Sequence, residues 1–249
     1  MGGQANTNST AGASNFDGSI QSTVKANPEA GFSVVTFNAG SSGNKTVGHG
    51  LNADLGMFII KDRDNPGSWQ VWHKGLSNSA QSYVQLNDAD ASANDSRIWA
   101  NTAPTNSVFS FEAIYAVSNN VIGYCFAPVA GYSAFGSYSS NQSTDGPFIY
   151  LGFRPRWILL KASVRTYGSN WSIIDTARNS GNFSVSASGT NILYASTSGA
   201  EFSSGGAQLD ILSNGFKIRN NSSDNNDNGT YIYAAFAENP FQANGGLAR

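Results

Sequence analysis

The feature that most constrains this 249-residue chain is a stretch that occurs twice. Phe32–His73 reads FSVVTFNAGSSGNKTVGHGLNADLGMFIIKDRDNPGSWQVWH, and Tyr132–Arg178 follows the same plan. Each opens on an aromatic, a serine and an apolar run, then passes through a turn rich in Gly, Ser and Asn. Each reaches a hydrophobic run closed by lysine, MFIIK at Met57–Lys61 and WILLK at Trp157–Lys161. A polar loop then ends in Trp69 or Trp171. Phe32 and Tyr132 stand 100 positions apart, as do Lys61 and Lys161, and the two tryptophans stand 102 apart. An offset that holds over the whole stretch points to duplication of one unit of about 100 residues.

Inside each copy the pattern is that of strands. Short runs rich in β-branched and aromatic residues recur between Gly, Pro, Asn and Asp turns, with no 3.6-residue period. Such spacing predicts an all-β fold, here two tandem, pseudo-repeated antiparallel β-sandwich modules of jelly-roll or lectin-like type. A single larger sandwich built from both copies is the alternative. The expected organisation is a flexible arm and linker over residues 1–30, in which Phe16–Ala30 reads as a short strand or an extended linker, module one over 31–131, module two over 132–241, and a polar tail over 242–249. SVFSFEAI and NNVIGYCFAPV are expected to pair through a turn at Ser118–Asn120. Exposed strand edges need protection, which makes oligomerisation an expected outcome.

Composition removes several function classes. Only 12% of residues are charged, about half the usual share, so Ser, Asn, Thr and Gly must cover the surface. The net charge is −2 and the 14 basic residues are scattered, whereas nucleic-acid binding wants many on one face. No run approaches the ~18 apolar residues of a membrane span. Residues 1–15 lack the basic and apolar regions of a signal peptide. Cys125, the one cysteine, lies among apolar neighbours in VIGYCFAP and reads as a small packing residue.

No set of side chains reads as catalytic. His49 sits between glycines in VGHGL, but the second copy has no histidine near Tyr150–Gly152, and His73 corresponds to Asp175. Two histidines without a supporting Cys or Glu pattern do not make a zinc site. Glu29, Glu112, Glu201 and Glu238 form no glycosidase pair, and Asp175 and Asp210 read as partners of turn backbone or arginine. There is no G-x-S-x-G elbow and no P-loop.

Binding is a different matter. Aromatics on a neutral, Asn/Ser-rich scaffold suit stacking on sugar rings. Trp72, Trp99 and Tyr167 are the candidate glycan-binding residues, drawn from a set that also holds Trp69, Tyr83 and Trp171. Trp69 and Trp72 fall on opposite faces of an alternating strand, so one of the two is expected in the core. The loop NNSSDNNDNGT offers Asp224 and Asp227 as oxygen ligands for calcium. It lacks a regular D-x-D-x-D order, and a flexible Asn/Asp turn is the competing reading. No other cofactor is expected. The loops that differ between copies, Asp62–Gly67, Asp88–Asn101, Ser180–Ser204 and Asn220–Gly229, are where binding specificity should lie.

The long motifs have a family likeness. GFSVVTF, VGHGL and WQVWHKGL in the first copy resemble a recurrent domain of tailed-bacteriophage structural proteins, as do GYSAFGSY, GFRPRWILLK and WSIIDTAR in the second. The closing segments ILSNGFKIR, Ile211–Arg219, and YIYAAFAENPF resemble it too, so the likeness runs from about Asp17 to Arg249. It implies a non-catalytic virion protein, a tail-fibre, appendage or head-decoration subunit, made in the host cytoplasm and released by lysis. In that family the domain usually closes a longer protein, often behind a lectin-like or SPRY-like domain; none is read in this sequence, so a head-decoration role is expected beside the tail-fibre one. The expected partners are other virion proteins, further copies of the chain, with a trimer favoured, and a host-surface glycan. A soluble carbohydrate-binding module is the alternative, and a polysaccharide-degrading enzyme the third reading. The family supplies no catalytic residue to carry over.

Overall fold

Alternation builds the first long strands. In β2 (Ser22–Asn27) and β3 (Phe32–Asn38) every second side chain is buried, the period-2 signature of a sheet with one wet face. The computed structural model describes residues 12–112, 117–165, 168–179, 182, 190–201 and 207–239. Among them the fold is all-β: 18 strands in several antiparallel sheets, with no helix. No helix there is long and apolar enough to cross a membrane. The chain divides into two units, Met1–Gln85 with Ala93–Val129, and Leu86–Ser92 with Ala130–Arg249.

The first unit holds β1 (Ala13–Asn15), β2, β3, β4 (Asn44–Gly48), β5 (Met57–Asp62), β6 (Gln70–His73), β7 (Ser82–Gln85), β8 (Ala93–Asn94), β9 (Val108–Glu112) and β10 (Asn120–Phe126). One sheet runs β1-β2-β3-β10-β5-β6-β7-β8, and β4 pairs with β9. Its core is aromatic. Phe58 stacks on Trp72 at 5.5 Å and meets the edge of Trp99 at 4.8 Å, with Phe37, Phe109 and Phe111 in the same cluster. Offset and edge-on pairs of this kind add to the stabilisation from buried area.

The second unit holds β11 (Ser133–Ser139), β12 (Phe148–Tyr150), β13 (Pro155–Val164), β14 (Ser172–Asp175), β15 (Leu193–Tyr194), β16 (Leu209–Leu212), β17 (Gly215–Ile218) and β18 (Thr230–Ala237). Its sheets run β11-β18-β13-β14-β15 and β12-β17-β16. The core is mostly aliphatic, with Ile158, Leu160, Ile174, Ile192 and Ile218 around Phe216.

Counting from β3 and from β11, the larger sheets share one order: first, eighth, third, fourth and fifth strand. Matching backbone bonds recur. Lys74 N–H donates to the Gly56 carbonyl and Thr176 N–H to the Arg156 carbonyl, both at 3.0 Å. His49 N–H donates to Ser107 at 3.0 Å and Leu151 N–H to Asn214 at 2.9 Å. The residue after each, Gly50 and Gly152, has φ of 69° and 81°, where a side chain would be strained. Met57 and Trp157 pair with Phe126 and Phe236. On the other flank of those phenylalanines stand Phe32 and Ser133. The sheet counterpart of Phe32 is therefore Ser133 and not Tyr132, a one-residue correction to the sequence alignment.

Three other expectations change. Residues 13–15, expected in a flexible arm, and 22–27, for which a short strand is one of two readings, form β1 and β2, which extend the first sheet through the pairing of β2 with β3. Val108–Glu112 does not form a hairpin with the next strand. β9 pairs with β4, while β10 lies between β3 and β5, where both of its edges are hydrogen-bonded and every second residue is buried. Leu86–Ser92 lies with the second unit rather than the first. The expected tail over 242–249 falls outside the described residues.

Candidate functional site

The expected aromatic platforms are core residues. Trp72 is 4% exposed and Trp99 0% exposed. Burial of their rings forces each indole N–H to find an acceptor: Trp72 Nε1 donates to the Ser79 carbonyl and Trp99 Nε1 to the Ser82 carbonyl, both at 2.8 Å. Neither ring offers a face to a sugar in this structure, which corrects their assignment as glycan-binding side chains. The pair does divide between core and partial exposure: Trp72 is buried, while Trp69, just before β6, is half-buried and stacks at 6.3 Å on Tyr124. Trp171 is buried and Tyr83 half-buried against the first core. Tyr167 lies outside the described residues.

The histidines and their counterparts are structural. His49 is fully buried; its Nδ1 accepts from Leu51 N–H at 3.3 Å and its Nε2 faces the Thr105 carbonyl at 3.3 Å. That pair of contacts requires the neutral Nε2–H tautomer, and burial holds its pKa below the ordinary value. His73 Nδ1 accepts from Gly75 N–H at 3.0 Å, and Asp175 Oδ1 accepts from Ala177 N–H at 3.0 Å. One turn is thus capped by imidazole in one unit and by carboxylate in the other. Asp175 also binds Arg178, and Asp210 accepts from Arg219 Nε at 2.6 Å, as expected for partners of turn backbone and arginine. Cys125 is a buried packing residue whose thiol burial pushes up to about 12.

The acidic loop of the second unit is packed rather than loose. Asn225 and Asn226 are 0% exposed and Asp224 is 7% exposed. Asn226 Nδ2 donates to Asn141 Oδ1 at 3.0 Å and to the Ser143 carbonyl at 2.7 Å, and Asn225 Nδ2 donates to Gln208 at 3.1 Å. Asp224 receives the Tyr194 hydroxyl, and Asp227 binds Arg165 Nη2 at 2.7 Å. The two aspartates thus meet separate protein donors. Burial raises the Asp224 carboxyl, against the Tyr194 hydrogen bond and the Arg165 and Lys161 charges. Among the described residues no three His, Cys, Asp or Glu side chains gather as a metal-holding group.

Next to this loop lies a residue that sequence reasoning treated only as a strand terminator. Lys161 is fully buried, and its Nζ donates to the Ala89 and Ser169 carbonyls at 2.6 Å each. Burial lowers its pKa to about 8, although the charges of Asp88, Asp90 and Asp224 work the other way. The first-unit counterpart, Lys61, is half-buried and caps the Asp62–Gly67 loop by donating to the Asn65 carbonyl at 2.9 Å.

That loop forms the wall of a cavity of about 390 Å³ within the first unit. Ile60, Ile98, Phe111 and Val121 supply apolar surface, and Asp62, Asn65, Gln70 and Glu112 supply polar groups. Burial raises the Asp62 carboxyl, but the N–H groups of Asp64 and Asn65 and the Asn119 amide outweigh it and hold the pKa below the ordinary value. Its side chain is thus an anion set beside an apolar hollow. Glu112 was visible in the sequence only as a lone acid; the pairing of β9 is what brings it here.

A model of the family described as a domain of unknown function, DUF7483, matches residues 5–240, so the chain belongs to that family. No curated protein and no solved structure matches the chain.

Proposed function

We propose that this DUF7483 chain is a non-catalytic structural protein of a tailed-phage particle, a tail-fibre, appendage or head-decoration subunit that assembles with other virion proteins and contributes to host attachment. The proposal includes the finer architecture: two tandem copies of one β-sandwich module, joined by duplication. The observation that carries it is the employment of the reactive side chains. His49, His73, Asp175, Lys161 and Asp224 all hold backbone groups or the hydroxyl of the half-buried Tyr194 in place, in two units that repeat one strand order. Low charge, an Asn/Ser-rich covering and the motif likeness to phage structural proteins support the same reading.

A second reading, glycan binding, draws on the first-unit cavity, whose apolar wall and oxygen acceptors suit a sugar ring with its hydroxyl donors. The aromatic pair Trp72 and Trp99 no longer contributes to it. Mass spectrometry and cryo-EM of particles from the host that encodes the chain test the main proposal. The chain is expected in stoichiometric amounts within the particle. Its absence from particles, or release of reducing ends from polysaccharide that one Asp or Glu substitution abolishes, would contradict it.

A further inference from the structure

Strand edges reveal what each unit leaves uncovered. In β4 the pairing of Val47 with Phe109, and the bond from His49 N–H to Ser107, turn residues 47 and 49 toward β9. Thr46 and Gly48 therefore present their backbone groups to the outer edge. The stretch Asn15–Ser22 covers that edge. Thr46 N–H donates to Ser19 Oγ at 2.9 Å, the Thr46 carbonyl accepts from Ile20 N–H at 3.4 Å, and the Gly48 carbonyl accepts from Ser22 Oγ at 3.2 Å. A Cβ on Gly48 would lie 1.8 Å from Asn15 Oδ1, so the cover sits tight against the strand.

β12 is the same strand in the second unit. Ile149 pairs with Phe216 as Val47 does with Phe109, and Pro147 and Leu151 bond across to Ile218 and Asn214. Phe148 and Tyr150 thus occupy the places of Thr46 and Gly48, with their backbone groups turned outward. The two residues are 44% and 68% exposed. Among the described residues no segment lies along this edge: β12 is the end strand of its sheet, with only β17 beside it. Natural sheets guard such edges with charge, but Lys217, opposite Phe148, is neutralised by Asp145 at 2.8 Å.

We propose that β12 is an interface strand at which two copies of this chain join edge to edge, antiparallel about a two-fold axis at Ile149. That register makes Phe148 of one copy and Tyr150 of the other a hydrogen-bonded pair, twice over, with Ile149 facing Ile149 between them. The outward N–H and C=O groups of both residues exchange solvent for each other, and each aromatic gains an aromatic across the strand. The mutual neutralisation of Asp145 and Lys217 leaves no net charge to hold the copies apart. The pairing needs nothing from the virion reading, and it supplies a two-fold contact where sequence reasoning favoured a trimer. A three-residue strand makes a small contact, at the weak end of interfaces below about 1,200 Å². The dimer is therefore expected to be reversible and concentration-dependent, and to gain from multivalency in a larger assembly.

Sedimentation velocity of the full chain from dilute to concentrated solution tests this. The wild type is expected to pass from monomer to dimer, Tyr150→Phe to do the same, and Tyr150→Lys to need at least roughly tenfold more protein. Because Tyr150 is mostly exposed, the lysine variant should keep the wild-type melting temperature in dilute solution. Register is read by oxidising a mixture of Phe148→Cys and Tyr150→Cys chains, which should give a disulfide dimer containing one of each and little from either alone. A chain that stays monomeric at every concentration, a Tyr150→Lys variant that associates like the wild type, or cross-linking of Phe148→Cys to itself in preference would overturn the proposal. So would a strictly monomeric wild type from which Tyr150→Lys removes saccharide binding on a glycan array, since the aromatics would then be a sugar platform.

Discussion

Lys61 and Lys161 occupy one place in two sheets, paired across the strand with Ile122 and Ile232 of the respective last strands. The first ends half-buried over its own loop; the second is fully buried beneath the segment Leu86–Ser92, through the Ala89 carbonyl. The β4 and β12 edges diverge in the same manner, one closed by Asn15–Ser22 and the other with no segment along it among the described residues. In both cases the repeated strands are alike and an added segment makes the difference. The sheet order therefore defines the scaffold, while segments outside the shared strands decide which groups are buried and which edges remain available.

Removing a cover is the strongest way to break that comparison. Gly48→Ala places a methyl against the buried Asn15 side chain. Overpacking at such a site costs about 1–3 kcal/mol, read as a lower melting temperature of the first unit. With its edge loosened, β4 should also begin to associate at high concentration. The equivalent change in the other unit, Tyr150→Ala at an exposed position, should stay within about 0.5 kcal/mol in dilute solution. Equal costs at the two positions would contradict the assignment of cover and open edge.

The lysine pair gives a smaller, pH-dependent difference. In the folded chain Lys161 releases its proton from about pH 8, whereas in the unfolded chain it keeps it until about 10.5. The unfolded state then binds more protons, so stability rises with pH above about 8, by at most about 1.4 kcal/mol per pH unit. The gain is opposed from about pH 9, where the unfolded Cys125 thiol ionises and the buried one, pushed up to about 12, does not. The buried Tyr231 hydroxyl, likewise raised to about 12, acts in the same direction above pH 10. Denaturant titrations at pH 7, 8 and 9 should show a rising midpoint that Lys161→Met flattens and Lys61→Met leaves in place. A wild-type midpoint that falls between pH 8 and 9 would contradict the buried cation.

Much of the scaffold was legible because it obeys local rules. Period-2 burial in β2 and β3, the lysine-terminated runs of β5 and β13, and the glycine turns at Gly50 and Gly152 all leave marks in the sequence. Pairing of strands distant in sequence leaves no comparable mark, so the insertion of β10 between β3 and β5 was missed and a local hairpin expected in its place. The candidate binding residues failed for a related reason. Trp72 and Trp99 stand in polar surroundings along the chain, yet the ring of Phe58 brings both into one aromatic core. Phe148 and Tyr150 read as ordinary strand residues within FIYLGF, and only comparison with the covered β4 edge distinguishes them.

Backbone amide exchange tests the contrast between the two edges most directly. The Thr46 amide, bonded to Ser19 Oγ, should exchange slowly at every protein concentration. The Phe148 and Tyr150 amides should exchange quickly in dilute solution and become protected as the chain is concentrated. Equal protection of Thr46 and Phe148 in dilute solution, or no change at Phe148 and Tyr150 on concentration, would contradict an edge that is closed in one unit and shared between copies in the other.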